Sequence, residues 1–225
     1  MTEKNILIIV AHSDDETIGM GGTIKRHYEN GDKVYAISMT DGVSSRKENE
    51  SKKLERVLAS QRASEILNFK WKKRFDYSDN QMDKCTILEV TRNIEEIKLT
   101  IKPDIVYTHS CADLNVDHRI VTNAVLTAFR PQPKETCREI RLFEINSSTD
   151  YGHKDITGDF SPNLFINISK TWDSKLQALY AYTLEMREYP HSRSFESIKN
   201  LAKRRGNQVG IEMAEAFQIL RRIEI

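Results

Sequence analysis

The sequence predicts an α/β layered fold on a mostly parallel sheet, and two observations carry that expectation. Ile6, Leu7, Ile8, Ile9 and Val10 form an unbroken apolar run in which all but Leu7 are β-branched. A run without alternation reads as a strand covered on both faces, as in parallel sheets. Helical patterns then alternate with further strand-like runs along the chain, as βαβ units require. The 225 residues suit one domain spanning residues 1–225.

After the first strand, Thr17 to Tyr28 carries a loose helical stripe on Ile18, Gly21, Gly22 and Ile24, closed by Asn30-Gly31. Gly19, Gly21 and Gly22 weaken such a helix by about 1 kcal/mol each relative to Ala. Close packing of the helix on the sheet would justify them. Lys33 to Thr40 reads as the second strand, turned by Asp41-Gly42, and Ser51 to Leu67 as a helix. Asn68 to Phe75 reads as a short strand, Asp76 to Asp83 as a polar loop, and Ile87 to Ile101 as a helix stopped by Pro103. Ile105 to Thr108 is another buried strand, followed by a helix over Ile120 to Phe129. Beyond it the pattern predicts a strand over Ile140 to Ile145, a loop over Tyr151 to Pro162 and an alternating strand over Leu164 to Ile168. An amphipathic helix from Trp172 to Met186, a loop carrying His191 and a helix from Phe195 to Arg205 follow. Met213 to Leu220 is apolar enough to pack but fits either type. There is no internal repeat and no low-complexity linker.

Composition narrows the function classes. With 34 basic and 33 acidic residues the net charge is +1, without the basic excess that a nucleic-acid partner requires. No apolar stretch approaches the length of a membrane span, and MTEKNILIIV lacks the regions of a signal peptide. Cys85, Cys111 and Cys137 are odd in number and form no CxxC, which suits free thiols in a reducing cytoplasm. A homo-oligomer is compatible with all of this.

Two polar bursts follow buried strands. The first is His12, Asp14, Asp15 and Glu16; the second is His109, Asp113, Asn115, Asp117, His118 and Arg119. Ends of successive parallel strands share one sheet edge, where open α/β folds bind ligands, so the bursts can meet in space. Three carboxylates in succession repel one another unless something positive stands between them. A helix N-terminus offsets part of this, about 0.3–1 kcal/mol per charge, and a bound cation far more. His12, Asp15 and His118 offer two imidazoles and a carboxylate, a set that suits zinc and leaves a position for water. Iron or manganese suits such a site as well. Zinc brings bound water close to neutral pKa. Asp14 stands beside a ligand without needing to be one, and can take the proton from that water and deliver it to a leaving amine. Asp117 reads as a group orienting a ligand. Cys111 is set aside because the other set is complete without it, and His27 and His153 read as structural.

These residues carry a resemblance. His12-Ser13-Asp14-Asp15-Glu16 resembles the AHPDDE signature of the PIG-L/LmbE-like deacetylases, zinc enzymes that remove N-acyl groups from amino sugars. Asn115-Val116-Asp117-His118-Arg119 resembles their HPDHR segment. Thr40-Asp41-Gly42 through Arg46 is similar to a substrate-side loop, Asp79 to Asp83 to a DNRMD segment, and Arg204 to Phe217 to a C-terminal RG…G…AEAF stretch. The resemblance implies a Rossmann-like three-layer αβα sandwich with metal ligands His12, Asp15 and His118 and general base Asp14. It further implies substrate contacts at Arg46, Asp79 and Asn80. The activity implied is removal of an N-acetyl group from a GlcNAc-type glycoside, lipid-linked sugar or sugar nucleotide. Two departures stand out. Ser13 replaces the usual proline, and Asn115 stands where many members have a histidine that helps polarise the substrate carbonyl. Asn115 can donate an amide hydrogen bond but carries no charge. Removing one oxyanion donor costs about 2.7–4 kcal/mol, so His191 or His109 is expected to help. Alternatives are hydrolysis of another small amide, N-formyl or mycothiol-like, and a non-catalytic sugar or nucleotide binder. Against the binder, Gly19, Gly21 and Gly22 have the wrong spacing for a dinucleotide turn.

Overall fold

A computed structural model of the protein describes residues 3–44 and 50–224. The strands are β1 (Asn5–Val10), β2 (Lys33–Thr40), β3 (Lys70–Tyr77), β4 (Ile105–His109), β5 (Glu139–Phe143), β6 (Leu164–Asn167) and β7 (Ala214–Arg222). The helices are α1 (Asp15–Glu29), α2 (Glu50–Leu67), α3 (Ile87–Ile101), α4 (Val116–Ala128), the single-turn α5 (Lys154–Thr157), α6 (Trp172–Ala181) and α7 (Phe195–Asn207). The strands form one sheet in the order β3-β2-β1-β4-β5-β7-β6. The pairings from β3 across to β5 are parallel, while β7 runs antiparallel to both β5 and β6.

The unalternated run of β1 now has its reason. Ile6, Ile8 and Val10 point into a core shared with α1, α2, α6 and α7, while Leu7 and Ile9 point into a second core under α3 and α4. Both faces of β1 are covered, so neither set of side chains can be polar. The result is the expected three-layer αβα sandwich. Strand order reverses between β1 and β4, which pair in parallel. Chains leaving these two strands therefore diverge to opposite sides of the sheet and open a crevice at its carboxyl edge.

The glycines of α1 serve close packing. A Cβ on Gly19 would stand 2.5 Å from the Phe143 ring of β5, and one on Gly22 would stand 2.8 Å from Ile168. Between them Met20 leaves helical geometry at φ −147°. The break is splinted by Glu215 of β7, whose carboxylate accepts from Gly22 N–H (3.0 Å) and Thr23 N–H (2.7 Å). Lys175 of α6 donates to Glu215 (2.6 Å) and to the Ile18 carbonyl (2.8 Å).

The structure corrects several boundaries. Met213 to Leu220, ambiguous by pattern, is largely strand β7. Helix α4 begins at Val116 rather than Ile120, because Asn115 caps it through its side-chain oxygen. Helix α6 ends at Ala181 rather than Met186. Tyr182, Glu185 and Met186 stay buried past its end, which prolongs the amphipathic pattern without prolonging the helix. The strand expected over Ile140 to Ile145 runs Glu139–Phe143, and the predicted loop over residues 151–162 contains α5.

Gly19→Ala is expected to lower stability by about 1–3 kcal/mol, since overpacking against an aromatic ring outweighs the roughly 1 kcal/mol gain in helix propensity. Urea unfolding of the variant beside the parent measures it, and an unchanged or higher midpoint contradicts the packing argument.

Candidate active site

The two bursts meet at the β1/β4 crossover. The Ala11 N–H donates to His109 Nε2 across 2.8 Å, tying the end of β1 to the end of β4. The chain then turns tightly, with Asp15 N–H donating to the His12 carbonyl at 3.3 Å and the His12 N–H to Asp15 Oδ2 at 2.9 Å. Because Asp14 precedes α1 and Asp15 is its first residue, neighbours in sequence face different ways. His118 lies in the first turn of α4, where the Asn115 cap holds the Asp117 N–H (2.8 Å) and His118 N–H (3.4 Å).

Three ligating atoms converge. His12 Nδ1 is 3.1 Å from Asp15 Oδ2 and 3.2 Å from His118 Nε2, and His118 Nε2 is 3.3 Å from Asp15 Oδ2. All three side chains are buried. Two ring nitrogens facing each other at this distance cannot both carry protons comfortably, and Asp15 Oδ1 has no hydrogen-bond partner. A tetrahedral ion with ligand bonds of about 2.0–2.1 Å sets its donors about 3.3–3.4 Å apart, so the triangle fits a divalent metal. Each imidazole has a carboxylate behind it. His12 Nε2 lies 2.9 Å from Asp79 Oδ1 and 3.3 Å from Asp117 Oδ2, and His118 Nδ1 lies 3.0 Å from Asp113 Oδ2. Carboxylates in that position fix the ring and raise its basicity. His12, Asp79 and Asp117 form a second group of ligand type. In it, however, Asp117 already accepts from Asn80 N–H (2.7 Å) and Met82 N–H (3.1 Å), which makes it the weaker holder.

Burial disfavours charge on both imidazoles, yet the surrounding carboxylates prevail. Asp15, Asp117 and Asp79 raise His12 well above its ordinary value, and Asp15 with Asp113 raises His118 to about 9. Against its own burial, Asp15 is held well below the usual carboxylate range by His118 and His12. His109 differs: burial, then the charge of His118 stacked 3.9 Å away, pushes it down to about 3.

Asp14 sits at the N-cap of α1 but makes no capping bond. Its Oδ1 accepts instead from Arg56 Nη2 at 2.6 Å, while Oδ2 has no hydrogen-bond partner and lies 3.5 Å from Arg193 Nη1. Burial raises its pKa, offset in part by Arg56. Arg56 is fixed at its other end by the Gly42 carbonyl (3.1 Å) and Glu185 Oε1 (2.9 Å). His12, Asp14, Gly42, Arg56, Asp79, Asn80, Asn115, Glu185 and Arg193 line a cavity of about 150 Å³, equal to about five waters at liquid density.

The structure thus brings together His12, Asp14, Asp15, Asp117 and His118. Asp79 and Asn80 line the same cavity, with Asp79 set against His12 and Asn80 bridging Asp79 to Asn115. It does not bring in His191, which is exposed, does not line the cavity, and whose Nδ1 accepts from the Arg193 N–H at 3.0 Å. Nor does His109 line the cavity; it is stacked on His118 and its Nε2 accepts the Ala11 N–H. Arg46 lies outside the described residues. Sequence reasoning missed Arg56, Arg193, Glu185 and the role of Asp113. Only Asp113 left a signal, as a member of the second burst.

Residues 7–129 match the family model described as PIG-L, GlcNAc-PI de-N-acetylase. The chain belongs to the PIG-L family. The diacetylchitobiose deacetylase of Thermococcus kodakarensis is 32% identical over 107 residues, and the match spans 46% of this chain but only 39% of that protein. N,N'-diacetylchitobiose deacetylase from Pyrococcus horikoshii, solved with its inhibitor MPG, superposes with a TM-score of 0.76 at 23% identity, over 97% of this chain and 84% of that one. GalB, the 4-carboxy-2-hydroxymuconate hydratase of Pseudomonas putida KT2440, superposes with a TM-score of 0.80 at 22% identity, over 99% and 98%. At these identities the superpositions speak for the PIG-L fold, and that fold carries more than one named chemistry.

A metal bound at this triangle would have to displace protons from raised imidazoles. Zinc affinity is therefore expected to rise with pH through about 9, the value to which Asp15 and Asp113 raise His118. The sign for the metal-free protein is opposite. The stabilisation from His118 is complete below its ordinary 6.5 and fades as pH rises through about 9. Chelator competition and thermal unfolding with and without zinc across that range measure both. An affinity that stays flat with pH contradicts the assignment of His118 as ligand.

Proposed function

We propose that this chain is a metal-dependent hydrolase that removes the acetyl group from a small N-acetylated amino sugar. The observation that carries the reading is Asp14 Oδ2, a buried carboxylate oxygen with no hydrogen-bond partner, 3.5 Å from Arg193 Nη1, beside three convergent ligand-type atoms. Binding alone gives no reason to bury an acceptor without a hydrogen bond there, whereas proton transfer requires one. Membership of the PIG-L family and the names of its deacetylase relatives support the same class.

Zinc, held by His12, Asp15 and His118, would supply Lewis acidity to the acyl carbonyl and to the attacking water. Asp14 Oδ2 takes the proton from that water as its oxygen bonds to the acyl carbon. The same oxygen returns the proton to nitrogen as the C–N bond breaks, leaving a free amine and acetic acid, which ionises to acetate in solution. Arg56 holds Oδ1, so the lone pairs of Oδ2 keep one direction through both transfers. Asn115 has its Oδ1 committed to capping α4, which turns Nδ2 toward Asn80 and the cavity. Nδ2 donates to the acyl oxygen. Asp79, Asn80 and Arg46 serve the sugar hydroxyls or an attached phosphate.

Zinc-loaded protein is expected to release acetate from one or more of N-acetylglucosamine, N,N'-diacetylchitobiose and UDP-N-acetylglucosamine. Absence of acetate from a broad panel of N-acetylated sugars, with hydration of an unsaturated diacid in its place, overturns the reading. Asp14→Asn should lower kcat by about 10²–10⁴-fold while zinc content, read by elemental analysis, stays at the parent level. Undiminished turnover removes Asp14 from the role of base.

A further inference from the structure

We propose that Arg193 donates the cationic hydrogen bond to the acyl oxygen as negative charge builds on it, supplying the charge that Asn115 lacks. The inference rests on the deacetylase reading. Attack on an amide carbonyl moves an electron pair onto oxygen, and a preorganised donor aimed at that atom is worth most when it is charged and shielded from water. Among the described residues lining the cavity, only Arg56 and Arg193 are cations at every working pH. Arg56 is committed at both ends, to Asp14, Gly42 and Glu185, with its side chain 6% exposed. Arg193 is not. Its side chain is 20% exposed, and its Nη1 stands 3.5 Å from Asp14 Oδ2, too long for a good hydrogen bond and close enough for an ion pair. Its guanidinium thus lies at the mouth of the cavity, beside the oxygen that receives the proton.

The loop that carries Arg193 is braced from outside. Arg193 Nε donates to Ser147 Oγ (3.0 Å), the Ser147 N–H donates to Ser192 Oγ (3.1 Å), and Asn146 Nδ2 donates to the Ser192 carbonyl (3.2 Å). His191 accepts the Arg193 N–H, so the histidine expected to reach the site supports the residue that does. Holding Nε on Ser147 leaves the Nη groups to face the cavity, which is how a fork of fixed geometry is aimed. Arg193 keeps its protons throughout. The bonds made and broken remain those of hydrolysis, and Arg193 stabilises the charge between them.

The test compares Arg193→Ala, Arg193→Met and Arg193→Lys with the parent, on whichever sugar of the panel the parent deacetylates fastest. The second readout is inhibition by the methylphosphonamidate of glucosamine, a tetrahedral anion shaped like the attacked amide. Arg193→Ala and Arg193→Met should lose about 10²–10³-fold in kcat and a similar factor in affinity for the phosphonamidate. KM should stay within roughly twofold and zinc content unchanged, because the interaction strengthens only as charge develops. Arg193→Lys should recover part of the loss, and added guanidinium should rescue Arg193→Ala. If Arg193→Ala misfolds, Arg193→Met, which keeps the apolar stem, decides. Parent-like kcat in these variants, or a loss confined to KM with phosphonamidate affinity intact, overturns the proposal while the deacetylase reading stands. A parent that deacetylates nothing removes both.

Discussion

Burying three consecutive carboxylates at the end of β1 is the constraint that the surrounding structure answers. Each is neutralised by a different physical means. Asp15 is offset by two imidazoles and fits a divalent cation. Asp14 is offset by Arg56, reached from α2 across 2.6 Å. Glu16 accepts from Thr17 Oγ1 and Tyr182 Oη, and burial pushes its pKa up to about 8, so it keeps its proton near neutrality. Three identical functional groups thereby acquire three protonation behaviours, which is what acid–base chemistry at one pH requires.

The same constraint explains features remote from the chemistry. Arg56 can reach Asp14 only because α2 packs beside α1. Tyr182 reaches Glu16, and Glu185 reaches Arg56, only because the chain turns at the end of α6. The kink in α1 at Met20 would leave backbone groups unsatisfied within a buried helix, a cost of several kcal/mol if they were unpaired. Glu215 and Lys175 take them up instead. The last strand of the chain therefore supports the first helix, and that helix presents the acidic cluster.

On the other side of the cavity, the DNQMD segment is pinned by Asp117. One carboxylate accepts two of its backbone N–H groups and lies 3.3 Å from the His12 ring. Asn80 takes a positive φ of 53° there, which asparagine tolerates better than most residues. A single acidic residue thus joins β1, α4 and the loop after β3 at one point.

The layered architecture, the covered strands β1 and β4 and the convergence of His12, Asp15 and His118 were legible in the sequence, because they rest on local signals: unbroken apolar runs, and histidine with aspartate directly after a strand. The cap at Asn115 is equally local but was not read from the sequence, and it moves the start of α4 back from Ile120 to include His118. The residues that tune the site were not legible. Arg56 stands amid a helical stripe like any solvated arginine, and Arg193 follows a histidine that looked the better candidate. Which arginine a buried carboxylate recruits, and whether a histidine faces a cavity or its own loop, depends on how helices pack across the sheet. Local pattern determined what chemistry the chain carries. Only the tertiary structure decided which charges meet, because electrostatic pairing depends on distance in space and is blind to separation along the chain.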